Sequence, residues 1–540
     1  MKKRMIKLLS LALVVLTAFS VVGCSGCDWS MFDALFEIQP EVPSGDGNSN
    51  GDKTPWLDET HIWTEPSWTS VVPVPLDFEG AEISVLTIDQ DYYTREIYSE
   101  AAMSDTYSGD EALREAIALR NSGVTEELNV NVHLEFVGGD VDSARANTFD
   151  MIAEDFVSDL CTYDVLNLPE DIVTSMAIRD FNASLWDEEF EHFDFELDFD
   201  YGSNVYDSNE VRFPWFQSLV KLRPNGWCYY IAGVMNLSAI DNVNMIWYNQ
   251  RLYQENIGEH DYEDVQQLAL DGKWTYERFH YIAARYQRDD VKSYAIGFDS
   301  SVDAGKKYPM ADAFRTVWNV EWLKEHPDGT FSLDVEGNDL AEQAYARIKD
   351  LYSLGSVQKN GLVDNFAAGD YIFFVTKLSP SADATQKLLH MEDINGILPM
   401  PKYSLEQSEY EFTTSKGTVI SVLDHSALNP SAISAYLQRT AEETVKIVSG
   451  YHIVSTVQQK FFGTDDLNDT RAINIKFYMM LCNNLKYKFS DVYSNHIGDI
   501  ANLWTDALED ESADILTKYE ENKDAYQEAL TDLNRWLGLI

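Results

Sequence analysis

From residue 81 to residue 168 the chain alternates two kinds of hydrophobic pattern. Ala81-Glu-Ile-Ser-Val-Leu-Thr-Ile88 is a short, nearly continuous apolar run, as expected for a buried parallel strand. Residues 108–128, rich in Glu, Ala, Leu and Arg, read as a helix. Val130 to Val137 alternates apolar with polar residues and predicts a second strand. A helix over about 142–160 leads to a third strand at Tyr163-Asp-Val-Leu-Asn-Leu168. Strands that alternate with helices predict right-handed βαβ units and a parallel sheet covered by helices. The alternation resumes with a strand at Asn244–Asn249 running into a helix over 250–258. A helix opens at Trp274, with Thr275 as its N-cap, and Tyr294–Phe298 reads as another strand. A helix over 338–355 has Gly355 in the place of a helix-ending glycine. Beyond about residue 426 the pattern is helical: 431–448, 467–485, 498–509 and 511–537.

The N-terminus changes the picture of where this body works. Lys2, Lys3, Arg4 and Lys7 precede an apolar stretch, Leu8 to Phe19, that is too short for a stable membrane span. Val21-Val-Gly-Cys24 then looks like the lipobox of a bacterial lipoprotein signal, in which Cys24 is lipidated and becomes the mature N-terminus. This predicts a signal peptide over 1–23 and a membrane-anchored protein outside the cytoplasm. Residues 24–77 are rich in Pro, Gly, Ser and Asn and read as a tether. Trp56, Trp63 and Trp68 suggest that part of it packs on the body. Asp46 to Asn50 fits the first half of a calcium loop, but Leu57 stands where the bidentate acid belongs, so no metal is expected there.

Composition narrows the partners. The chain has 40 basic and 90 acidic residues, a formal charge of −50. Without residues 1–23 it has 36 basic and 90 acidic residues, or −54. Such a charge excludes nucleic acid as a partner and disfavours anionic ligands. A neutral ligand fits best, and a polyamine or peptide remains compatible. Cys27, Cys161, Cys228 and Cys482 are widely and irregularly spaced, which leaves open one disulfide or free thiols and gives no zinc pattern. There is no G-x-S-x-G, H-E-x-x-H or P-loop signature, and no cofactor is implied.

Several local motifs occur in a telling order. Met245-Ile-Trp-Tyr-Asn-Gln-Arg-Leu-Tyr253, Gly272-Lys-Trp-Thr-Tyr-Glu-Arg-Phe279, Phe366-Ala-Ala-Gly-Asp370, Gly396-Ile-Leu-Pro-Met-Pro401 and Asn429-Pro-Ser-Ala432 resemble, collinearly, the landmarks of bacterial extracellular solute-binding proteins of family 1, the sugar-type receptors of ABC importers. The long aromatic linker, the acidic stretch at 182–212 and Trp247 depart from the family pattern. The resemblance implies an α/β, two-lobe periplasmic-binding-protein-like fold with three interlobe crossovers and a helical C-terminal part. Lobe one would comprise 78–240 and 370–424, and lobe two 241–369 and 425–540. Hinges would lie near 236–243, 366–372 and 421–425. It also implies a monomer that closes on its ligand and presents it to an ABC transporter permease, without catalysis.

Open α/β sheets bind ligands at the C-terminal ends of their strands. In lobe one those ends carry Asp89 and Tyr92, then Asn167 and Glu170. Trp215, Trp227 and Tyr230 stand in a loop-rich stretch before the first crossover, and Phe298 and Asp299 end a lobe-two strand. Sugar rings stack their C–H faces on Trp and Tyr, while Asp, Glu and Asn hydrogen-bond hydroxyls. These nine residues are therefore the candidate oligosaccharide site. The competing reading of each ring is interior packing. The competing functions are a surface hydrolase or lyase, which would use a pair of carboxylates, and an adhesin, which needs no cleft.

Overall fold

The computed structural model describes residues 70–540, apart from 71, 74, 98–110, 198–213, 223–225, 259–263, 287–293, 415–416, 426–427, 458–466 and 511. The signal peptide, Cys24, Cys27 and the half calcium loop lie outside the described residues, as does most of the tether. So does the acidic stretch beyond Leu197.

Nine strands build two sheets: β1 Ala81–Thr87, β2 Val130–Phe136, β3 Val165–Pro169, β4 Asn244–Asn249, β5 Tyr294–Asp299, β6 Val357–Gly361, β7 Tyr371–Lys377, β8 Asn395–Pro399 and β9 Thr418–Val422. The first sheet has the order β9-β3-β1-β2, with β1 parallel to both neighbours and β9 antiparallel to β3. The three early strands thus share one sheet, as their alternation with helices predicts. The second sheet has the order β8-β4-β7-β5-β6. It is mixed: β5 runs parallel to β6 and β7, while β4 runs antiparallel to β7 and β8.

Local chemistry accounts for the elements. The helix Val141–Ser158 starts where the Asp140 carboxylate accepts from the Ser143 N–H at 2.7 Å and stops at Asp159, whose φ of 51° is left-handed. Pro430 opens the helix Pro430–Glu443 behind its N-cap, Asn429, whose side chain accepts from the Ala432 N–H. Thr275 occupies the N-cap of Tyr276–Arg285 but makes no side-chain capping bond. The helix Asp339–Ser353 ends without a left-handed glycine: Leu354 is already extended, so Gly355 is not its terminator.

The lobe boundaries differ from those expected. Every residue of β7 is buried, and the strand sits between β4 and β5, because a continuous Tyr-Ile-Phe-Phe-Val run demands a central strand covered on both faces. The segment with β7 and β8 therefore belongs to the second sheet, and of 370–424 only the part around β9 belongs to the first. The helix Pro430–Glu443, expected in lobe two, packs on Glu111–Leu128, and Arg439 bonds Glu127 at 2.8 Å. The chain consequently leaves the first sheet through 236–243, returns between Pro399 and Thr418, and leaves again only after Val448, since Thr444–Val448 still packs on Glu111–Leu128. The segments 366–372 and 421–425 are not crossovers.

Candidate functional site

The first crossover is pinned by a buried polar network. The Glu96 carboxylate accepts from the Ser238 N–H at 2.6 Å, from Asn167 Nδ2 at 3.1 Å and from the Thr418 hydroxyl. Burial raises its pKa, against the hydrogen bonds that lower it. Arg95 pairs with Asp241, which also meets His452 Nε2 at 3.0 Å, and His452 Nδ1 lies 2.6 Å from the Tyr478 hydroxyl. Burial would raise the Asp241 pKa, but Arg95 and His452 outweigh it and the net shift is downward. The Tyr92 hydroxyl donates to the Ser238 carbonyl at 3.2 Å and accepts from Asn242 at 2.7 Å. Tyr92 and Asn167, expected to face ligand, thus belong to this crossover lattice.

The remaining expected residues divide. Trp215 is only 1% exposed; its indole N–H donates to Gln438 at 2.8 Å and its ring packs edge-on against Phe193 and Phe195. A Cβ on Gly233 would stand 2.1 Å from the Pro214 carbonyl, so the backbone closes over this ring and leaves no face for a sugar. Phe298 is fully buried and stacks on Tyr352, with centroids 4.2 Å apart. Asp299 is buried too, and its carboxylate is spent on Ser301 and, at 2.6 Å, on Thr376. These three are interior residues and not ligand platforms. Their β5 position, covered by helices, explains Phe298 and Asp299. Asp89 is exposed at the end of β1.

Glu170, Tyr230 and Trp227 lie elsewhere, against a segment that the sequence reading left unassigned. Glu170 begins the helix Glu170–Ala177 at the C-terminal end of β3. That helix packs against the segment 489–496: His496 Nε2 lies 3.3 Å from the Ser175 hydroxyl, and Asn495 donates to the Asp171 carbonyl at 3.2 Å. Beside it, Tyr487 stacks on Phe216, and Tyr493 faces Tyr230 with centroids 6.4 Å apart. Glu170 Oε2 and the hydroxyls of Tyr230, Tyr487 and Tyr493 are buried without a hydrogen bond of ordinary geometry. Tyr230 and Tyr493 are close enough to perturb each other's ionisation. The whole Glu170 side chain is partly exposed, but its carboxyl end is sealed. Burial, then the charges of Asp171 and Asp491, push its pKa up to about 8. The Glu170 carboxyl in turn helps to raise both Tyr230 and Tyr487. Burial and the nearby Arg179 cation lower His496 to about 4.

Rings connect this cluster to the surface. Trp227, 48% exposed, stacks on Tyr229; Tyr229 lies against Trp536, and Trp536 against Tyr493, at centroid distances of 6.0, 5.7 and 6.4 Å. Glu170 Oε2 and the Tyr487 hydroxyl are thus left without a protein partner at this contact between the two lobes. The signal missed in the sequence is Tyr487-Lys-Phe-Ser-Asp-Val-Tyr493, three aromatics in seven residues between two helices. A separate hollow of about 410 Å³ lies in the acidic stretch, lined by Trp186, Phe193 and Phe195 with Asp187, Glu188 and Glu191 among its acids. Among the described residues, Cys161, Cys228 and Cys482 form no disulfide.

No protein-family model and no curated protein matches this chain. Solved structures do. The sugar-binding protein MalE from Xanthomonas citri aligns over 85% of this chain and 99% of its own, at 12% identity and a TM-score of 0.53. UgpB from Mycobacterium tuberculosis, solved with glycerophosphocholine, aligns over 84% and 99%, at 15% identity and a TM-score of 0.50. With two large sheets, three crossovers and a helical C-terminal part among the described residues, the chain has a two-lobe, periplasmic-binding-protein-like α/β fold, as the MalE and UgpB structures do.

Proposed function

We propose that this protein is a lipid-anchored extracellular receptor that captures a neutral oligosaccharide between its lobes and delivers it to an ABC importer. The observation that carries the reading is the two-lobe fold, which this chain shares with the sugar-binding MalE, together with the exposed Trp227 stacked on Tyr229 beside the contact between the lobes. Exposed aromatic faces stack on the C–H faces of sugar rings, and Trp227, stacked on Tyr229, offers such a face at the surface. The sugar-binding MalE neighbour supports the ligand class. The charge of −50 disfavours acidic sugars. The anchor rests on the Val21-Val-Gly-Cys24 sequence, and the permease partner on the family resemblance.

The test is a thermal-shift panel of oligosaccharides with spermidine and a short peptide as controls, followed by chromatography of the recovered ligand. The expected result is a rise in Tm with one class of oligosaccharide, recovered intact. Cleaved sugar would favour a hydrolase. A response to spermidine alone, or to nothing, would contradict the reading.

A further inference from the structure

We propose that the three crossovers form one cooperative hinge, clasped at a single point of lobe one by Arg95, Glu96 and Arg120, so that they hold or loosen together and the lobes turn about that point. The inference rests on the two-lobe fold and not on the identity of the ligand.

Each crossover reaches the clasp by its own bonds. For the first, Arg95 pairs with Asp241, and the Glu96 carboxylate accepts from the Ser238 N–H at 2.6 Å. For the second, the Thr418 hydroxyl donates to the same carboxylate, and the Thr418 N–H donates to the Ser238 hydroxyl at 3.1 Å. For the third, one guanidinium nitrogen of Arg120 donates to the Thr444 hydroxyl at 2.9 Å. The other donates to the carbonyls of Glu96 at 2.7 Å and Arg95 at 3.4 Å. Two adjacent residues and one arginine thus meet every passage between the lobes, although the passages are far apart in sequence.

Burial makes the clasp cooperative. Glu96, Arg120, Thr418 and Thr444 are fully buried. Apolar contacts tolerate sliding, whereas hydrogen bonds are directional, and a buried donor or acceptor that loses its partner pays its full desolvation. Glu96 is shared by the first and second crossovers, and Arg120 ties the Glu96 backbone to the third. A shift of one crossover past the clasp therefore strands a group that also serves another.

The third passage has the give that such a hinge needs. It departs from the π-helical turn Thr444–Val448, where the regular helical ladder is interrupted. Beyond that turn His452 reaches Asp241 at 3.0 Å and the Tyr478 hydroxyl at 2.6 Å. Tyr478 stands on the helix Leu467–Asn484, which packs on β8 of the second sheet. The first and third crossovers are thereby tied a second time, on the lobe-two side.

Hydrogen exchange of the ligand-free chain, read by mass spectrometry, tests the coupling by disturbing one crossover and watching the others. Thr444→Val removes the hydroxyl that meets Arg120. Amides over 236–243 and Thr418–Val422 should then exchange about tenfold faster, the effect of losing one hydrogen bond to a charged group. Those of β7, in the second sheet, should keep the parent's rate. Thr444→Ser retains the hydroxyl and should exchange like the parent. Tyr92→Phe removes the hydroxyl between Ser238 and Asn242 at the first crossover, and should in turn speed exchange over Thr444–Val448. This second variant carries the test if Thr444→Val does not fold. Faster exchange confined to the crossover that was substituted, an equal rise in β7, or a serine variant that behaves like the valine one would overturn the single hinge. The receptor reading is tested separately, by the oligosaccharide panel.

Discussion

Glu170→Gln should change how stability depends on pH, by an amount the structure sets. In the unfolded chain the carboxyl titrates near its ordinary 4.5, and in the folded chain near 8. Between those values the folded state holds a proton that the unfolded state lacks, so stability falls as pH rises through the window and is level above it. His496 acts oppositely. Its folded pKa is about 4 against an ordinary 6.5, so the unfolded state binds the extra proton and stability rises with pH from 4 to 6.5. The two slopes oppose each other below 6.5, and the Glu170 effect stands clear between 6.5 and 8. One and a half pH units at about 1.36 kcal/mol each give about 2 kcal/mol. Solvent reaching the partly exposed stem reduces this to about 1–2 kcal/mol. For an ordered body of this size that corresponds to about 1–2 °C in Tm. Scanning calorimetry of both chains at pH 6.5 and 8.0, without ligand, should show the parent losing that much more than Glu170→Gln. Parallel profiles would refute the claim that this carboxyl is buried and unpaired.

Other substitutions separate packing from binding. Trp215→Ala should cost about 3–5 kcal/mol of stability, as large buried aromatics do, with affinity per folded molecule unchanged; calorimetric titration alongside melting curves checks both. Trp227→Ala should leave Tm nearly unchanged and weaken oligosaccharide binding by about tenfold, roughly 1.4 kcal/mol. Asp241→Asn breaks the buried bonds to Arg95 and His452 and should destabilise by about 3–5 kcal/mol, read by urea denaturation. Cys24→Ser should abolish incorporation of radiolabelled fatty acid; equal labelling of the variant would remove the anchor from the account.

The βαβ alternation was legible because β1 and β3 carry short apolar runs, β2 alternates apolar with polar residues, and helices lie between them. The lobe boundaries were less so. A strand such as Tyr371–Lys377 announces that it is buried but not which sheet buries it, and the helix Pro430–Glu443 has apolar residues enough for either lobe. The site was half legible. The rule that ligands meet strand C-termini picked out Glu170, which begins a helix at the contact between the lobes. Trp215 and Phe298 carry the same chemistry as a stacking platform, and only the neighbours Gly233 and Tyr352 reveal them as interior. Tyr487 and Tyr493 escaped notice because they are contributed from more than 250 residues away, by a segment without regular pattern.

A crystal structure with bound oligosaccharide tests the central claim most directly. The ligand should lie between the two lobes, with Trp227 stacked on one of its rings. Density confined to the acidic hollow around Trp186 would contradict the account.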